Sequence, residues 1–367
     1  MTLGKNKTKY VVDAVIIVIV TALTVLYLFK SGVLTAESLS KVTFIGFAVC
    51  FLAFIASGAV NAVIDLLIYR TFTGEIGLKR AFLTTVFGHF GSSITPFRSG
   101  HFPLKAYYHY KDGVSPDVTV TGFVKCQIIY SAVSVMAYFS IALYLLITGL
   151  TADIGGVTVR LWLVVAIGFL FHVAVFVCIT VLSFNQRLQR SALKLLCKVI
   201  KKLRKNFDAE SFFSTCSEKL ERFKDQIKII GKSFYRYLAP AFLYLAYMLL
   251  NGSVPYAAYL MSSGGSFYVS EFFTFYILNL ASVYIANVIP LPGGTGTSEV
   301  LFTVVFAHII ADPLLGATLV LWRISSFYFP IILEFICFLF VALRKKARRD
   351  HGVRLKSAEK SFAENTK

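Results

Sequence analysis

Six stretches of this chain, near residues 11–29, 42–68, 118–147, 161–183, 238–262 and 315–342, stay apolar over a bilayer-crossing length. A helix rises about 1.5 Å per residue, so about 20 apolar residues match a hydrocarbon core about 30 Å thick. Within that core no water satisfies a free backbone N–H or C=O, which restricts the spanning elements to helices or closed barrels. Runs this long read as helices, and with 57% hydrophobic residues the chain reads as a polytopic membrane protein. The first run follows KNKTKY and imitates a leader. From Val11 to Phe29 it is too long for a leader core, and no A-x-A site follows, so it reads as a retained span.

Two further apolar stretches, 81–110 and 271–311, are interrupted. The first contains SITPFRSGHFP, with Pro96 and Gly100; the second contains NVIPLPGGTGTSE, with Pro290, Pro292, Gly293, Gly294, Gly296 and then Glu299. Proline ends an incoming helix and glycine allows positive φ, so each stretch reads as a broken, re-entrant hairpin. Setting Pro96 on Pro290 places Ser99 on Gly293 and Gly100 on Gly294. The helix after the second break has Thr295, Thr297 or Ser298 available as caps. The two breaks lie between spans of opposite direction. The expected fold is therefore an all-α integral membrane protein with about six full spans and two broken helical hairpins in an inverted repeat, a pattern tied to binding sites near the midplane.

Charge orients the chain. With the N-terminus inside, the segments 1–10, 69–80, 97–111, 184–236 and 343–367 are cytoplasmic and hold 32 of the 37 Lys and Arg residues. Both termini are expected to be cytoplasmic at the cell membrane. The net charge of +18 then faces anionic lipid of the cytoplasmic leaflet, and no nucleic-acid role is read from it. The chain divides into an N-terminal membrane half (1–185), a basic helical linker (186–236), a C-terminal membrane half (237–343) and a basic tail (344–367). In the linker, Leu188, Ala192, Leu195, Val199 and Leu203 repeat at helical spacing among basic residues, and a second repeat runs from Phe213 to Phe234. These helices either join the halves or dock a partner. The six cysteines and six histidines show no ligand-like spacing, so neither a disulfide framework, a metal nor a cofactor is expected.

Ionisable residues at membrane depth are the site candidates. Arg323 lies about 12 Å into the last span. Glu334 falls on the same helical side, too far along for direct pairing. Glu299 is the natural partner of Arg323. That pair either pins the re-entrant helix or serves a lipid, with Arg323 on a phosphate and Glu299 balancing it or receiving a head-group amine. Arg98, His101 and Lys105 cluster at the first break, either attracting an anionic head group or anchoring the inside face. Asp65 reads as solvated near the inside boundary, Lys125 as snorkelling to it, His89 and His172 as core histidines and His308 as interfacial.

The pair IPLPGGTGTSE and ITPFRSG…P, with LWRISSFYFPII at 321–332, resembles the flippase-like membrane domain of lysylphosphatidylglycerol synthases and their stand-alone relatives. The resemblance spans roughly residues 8–345. It implies translocation of a membrane phospholipid or lipid-linked head group, such as lysyl-phosphatidylglycerol or a polyprenyl-linked lipid. The full synthases add a cytoplasmic aminoacyltransferase domain, and this sequence shows none, so lysyltransferase activity is not expected of it alone. Two alternatives stay open: a membrane component of such a transferase acting with a separate envelope-lipid enzyme, and a scaffold for envelope enzymes. Where the family's first motif ends Gly-Gly-Gln-Pro, this chain reads Gly100-His101-Phe102-Pro103.

Overall fold

The computed structural model describes residues 19–74, 76–149, 151–154, 157–203 and 234–341, with scattered positions from 208 to 217. Among the described residues, five helices are long and apolar enough to cross a membrane: Phe44–Arg70 (α3), Pro116–Thr148 (α6), Leu161–Phe184 (α7), a helix running from Phe234 to Ser263, and Leu314–Val341 (α12). The fourth consists of a 3-10 turn at Phe234–Tyr237 and α9, Leu238–Ser263. Short helices α1 (Ile19–Lys30) and α2 (Ala36–Ser40) precede them, α1 being the described part of the first expected span. The other five expected spans each have a helix at their place, and residues 11–18 of the first lie outside the described residues.

Both broken stretches are helix–turn–helix hairpins. The first comprises α4 (Leu78–Ile94), a 3-10 turn at Pro96–Arg98 and α5 (His101–Lys111). The second comprises α10 (Val269–Val288), a 3-10 turn at Pro292–Gly294 and α11 (Thr297–Phe306). Neither α5 nor α11 approaches the length of a full span. Each hairpin packs between the span before it and the span after it: α4–α5 against α3 and α6, α10–α11 against α9 and α12.

The central contact is α3 on α9, and the two run antiparallel. At one end the Thr71 and Tyr237 hydroxyls lie 3.1 Å apart. At the other, a Cβ added to Gly46 would sit 3.1 Å from Met261. The unit α3–α6 therefore repeats as α9–α12 in the opposite direction, as the charge pattern and the paired breaks imply. Gly149 and Gly264, in the left-handed region, close α6 and α9.

Close approach of α4 to α5 depends on Gly91 and Gly100, where each glycine's backbone lies against the other's missing Cβ. Small residues let helices meet backbone to backbone where lipid gives no hydrophobic drive to associate. At the hairpin's base, Arg80 pairs with Asp112.

Two features depart from a purely helical expectation or extend it. Between α6 and α7 lies a two-stranded antiparallel hairpin, β1 (Thr151–Ile154) and β2 (Val157–Arg160). After α7 the chain turns directly into α8 (Gln186–Leu203), the first amphipathic repeat. The Asn185 side chain accepts the N–H groups of Arg187 and Leu188, and Gln189 donates to the carbonyls of Leu182 and Ser183. Those bonds satisfy backbone groups at both sides of the elbow. The second repeat lies almost wholly outside the described residues, as does the basic tail.

Candidate functional site

The two turns share a backbone path through their second left-handed residue and diverge at Ser99 (ψ -18°) and Thr295 (ψ 136°), in a register two residues from the one the prolines suggest. Thr95 and Leu291 are extended; Pro96 and Pro292 follow as the first residue of each turn. Phe97 (φ 53°, ψ 20°) then matches Gly293 (φ 59°, ψ 12°), and Arg98 (φ 54°) matches Gly294 (φ 68°). Pro96 therefore corresponds to Pro292, not to Pro290, and Gly100 to Gly296, not to Gly294. Pro290 instead stands two residues past the end of α10, where a proline is expected to stop a helix. The common pattern is Pro, two left-handed residues, Ser or Thr, Gly.

At membrane depth each turn must satisfy its own backbone. In the first, the Thr95 hydroxyl donates to the Gly91 carbonyl and accepts the Gly100 N–H, both at 2.7 Å. In the second, the Thr295 hydroxyl donates to the Pro292 carbonyl and Thr297 to that of Gly294. The cap of α11 is not a Ser or Thr. Glu299 reaches back and its Oε2 accepts the Gly296 N–H at 2.8 Å. A hydroxyl cannot cap here because Thr295 and Thr297 are turned to carbonyls, and the N-cap position itself is glycine.

Glu299 is also the centre of a buried charge network. Its Oε1 accepts Arg323 Nε at 2.8 Å and the Tyr328 hydroxyl at 2.7 Å. The Arg323 guanidinium lies 4.1 Å from the centre of the Phe327 ring, a cation–π contact. Immediately after Arg323 the last span makes a π-helical turn, Ile324–Tyr328, which sets Tyr328 on Glu299 and Phe327 under Arg323. Gly293 touches the same Phe327 ring and the Ser93 carbonyl at the end of α4. Any side chain there would push the two hairpin tips apart. The tips thus meet each other deep in the molecule, over Phe327 and Arg323.

The two tips differ in what they expose. Pro292, Gly293 and Gly294 are buried, whereas Phe97 and Arg98 are exposed. Among the described residues, the Arg98 guanidinium has neither an ion-pair nor a hydrogen-bond partner. It lies within electrostatic range of Arg323 and of the half-buried Tyr130 and Tyr247. Arg323, although held by Glu299, has its Nη2 buried without a hydrogen bond. One exposed guanidinium and one part-satisfied guanidinium therefore lie near the junction of the hairpins.

A family model for the lysylphosphatidylglycerol synthase TM region matches residues 10–333. The chain belongs to that family. It is also 26% identical over 249 residues to a UPF0104 membrane protein of Archaeoglobus fulgidus, across 66% of this chain and 70% of the relative. The family match takes in both hairpins, Glu299 and Arg323.

The remaining candidate residues of this synthase-TM-region protein fall into pairs that hold the first hairpin. Lys105 is buried, and its Nζ donates to Asp65 Oδ2 at 2.9 Å. Asp65 is buried rather than solvated, because Thr85 and the Cys126 thiol also donate to it. His101 Nδ1 lies 3.0 Å from the Ser92 hydroxyl. Lys125 does not snorkel. It is fully buried, 4.2 Å from the Phe72 ring centre, with Thr71 Oγ1 at 3.5 Å. His172 is a satisfied core residue against the Gly168 carbonyl, and His308 is exposed. His89 is not a plain core histidine: its Nδ1 lies 2.7 Å from Glu334 Oε1. No cluster of three or more metal-ligating side chains occurs among the described residues.

Proposed function

We propose that this protein moves a phosphate-bearing lipid head group across the membrane along the seam where the two hairpin tips meet. The observation that carries the reading is Arg98: an arginine on a re-entrant tip, exposed and without a counter-ion among the described residues. A lone guanidinium at depth is costly, and an anionic oxygen is its natural complement. Arg323 Nη2 supplies a second donor, while Glu299 keeps the local charge near balance. Acyl or prenyl tails would stay in lipid as the head group passes the tips. The charge bias of the loops supports an orientation with both termini cytoplasmic.

Lysyl-phosphatidylglycerol, phosphatidylglycerol and a polyprenyl phosphate share the phosphate that Arg98 would recognise. Proteoliposomes carrying a fluorescent version of each, with leaflet exposure read by a membrane-impermeant quencher, separate them. The wild-type protein is expected to speed the exchange of at least one well above protein-free vesicles. Arg98→Ala is expected to slow it about tenfold or more, from loss of a charge-assisted bond, with an unchanged unfolding midpoint. Equal exchange by the wild type and Arg98→Ala would remove the tip arginine from the path.

A further inference from the structure

We propose that His89 and Glu334 form a proton-binding site through which proton movement drives the first hairpin. The inference rests on the translocation reading and adds its energy source. His89 is on α4, the incoming arm of the hairpin that carries Arg98; Glu334 is on α12. His89 Nδ1 and Glu334 Oε1 lie 2.7 Å apart, but the ring N–H is off-line, so charge rather than an aligned hydrogen bond joins them. Glu334 Oε2 is buried with no hydrogen-bond partner. The Glu334 side chain is 10% exposed and that of His89 35%. By helix rise, His89 lies about 16 Å beyond Leu78, and Glu334 about 10 Å before Val341. Phe87 of α4 packs on Phe338 of α12, so the pair lies more than one turn inside both helices.

This pair differs from the other buried ion pairs in how completely it is satisfied. Glu299 receives three hydrogen bonds, and Asp65 receives those of Lys105, Thr85 and Cys126. Among the described residues, Glu334 has His89 as its one ion-pair partner and an oxygen without a hydrogen bond. Imidazole is the side chain whose ordinary titration falls near neutral pH. The surrounding charged and titratable groups are His101, Lys105 and Arg98 of the same hairpin, Asp65 of α3 and Cys337 of α12. Lys105 is neutralised by Asp65, and His101 bonds Ser92. With Glu334 ionised and His89 protonated, opposite charges hold α4 to α12. Loss of the imidazolium proton to water breaks one ring N–H bond, forms one O–H bond of hydronium and leaves a neutral ring beside the carboxylate, so the attraction is lost and the hairpin is released. Uptake of a proton by the same ring nitrogen from water on the other side restores the latch.

Two measurements on the full chain test this. In lipid nanodiscs, infrared difference spectra between about pH 5 and 8 are expected to show imidazolium-to-imidazole ring bands that His89→Gln abolishes. Absence of any His89-dependent signal would overturn the proton site, whatever the transport result. In proteoliposomes with a trapped pH dye, a one-unit pH gradient is expected to drive unequal leaflet distribution of the moved lipid. For one proton per lipid the limit is about tenfold. Glu334→Gln and His89→Gln are expected to leave exchange that no longer responds to the gradient, with no lipid-linked proton signal. Gradient-independent exchange by the wild type would overturn the coupling while leaving translocation intact. No exchange by the wild type would overturn translocation, and the coupling with it. A pair that only braces the fold would lower the unfolding midpoint when mutated and leave the gradient response unchanged.

Discussion

The two hairpin tips start on the same backbone path, proline and two left-handed residues, with opposite chemistry. At the second tip, glycines occupy both left-handed positions, the turn is buried, and Glu299 ties its helix to the last span. At the first tip, Phe97 and Arg98 occupy the same positions and keep accessible surface. Left-handed backbone costs a side-chain-bearing residue roughly 1–2 kcal/mol. Strain of that kind persists where surrounding structure enforces it, and it clusters at working sites. The second tip thus reads as the fixed wall and the first as the arm that meets the ligand. The two tips are in contact at Gly293, Ser93 and Phe327.

The largest expected effect falls on the wall. Glu299→Ala leaves the Arg323 guanidinium buried without a counter-ion, strips the cap from Gly296 and removes the Tyr328 acceptor. Breaking a buried pair on one side costs about 3–5 kcal/mol. Denaturant or thermal unfolding in detergent should show that loss, along with reduced folded yield. If Glu299→Ala instead folds like the wild type and only transport fails, the second tip is an arm as well, and the comparison collapses.

Gly293→Ala comes next. The new methyl would overlap the Phe327 ring and the Ser93 carbonyl, at a φ that alanine resists. Strain and overpacking together are expected to cost about 2–4 kcal/mol. The readout that sharpens the comparison is distance: spin labels on the two hairpins should move apart in this variant. Unchanged spacing with full stability would mean that the tips do not support one another.

Much of this arrangement is legible in the sequence. Apolar run length places the six spans, and Pro and Gly inside apolar runs place the two breaks. The Glu299–Arg323 pair follows because lipid punishes each charge alone. The turn register is not legible, because glycine marks left-handed positions only at the second tip; Phe97 and Arg98 carry no such mark. The Asp65–Lys105 and His89–Glu334 pairs escape for another reason: each joins helices whose relative rotation is set by tertiary packing, and helical periodicity is silent on that. Cation–π burial of Lys125 escapes too, since length alone suggests that a lysine near a helix end reaches water. The β1–β2 hairpin had a signal, with Gly155-Gly156 between Thr- and Val-containing segments, a two-residue turn pattern overshadowed by the flanking spans.

The smallest expected effect is the most pointed. Phe97→Gly relieves the left-handed strain at the first tip but adds freedom to the unfolded chain. The two terms leave a net gain of about 0.5–1 kcal/mol. An unfolding midpoint that rises by that amount would confirm that Phe97 is held in a conformation it does not prefer. Because Phe97 is exposed, little packing is lost to mask the gain. Lipid exchange measured on the same preparation then decides what the strain is for. A more stable protein that exchanges lipid more slowly assigns the phenyl ring to the moving arm, alongside Arg98. A protein that is both more stable and equally fast would show that only the backbone path matters, and that the first tip, like the second, needs nothing beyond the turn itself at this position.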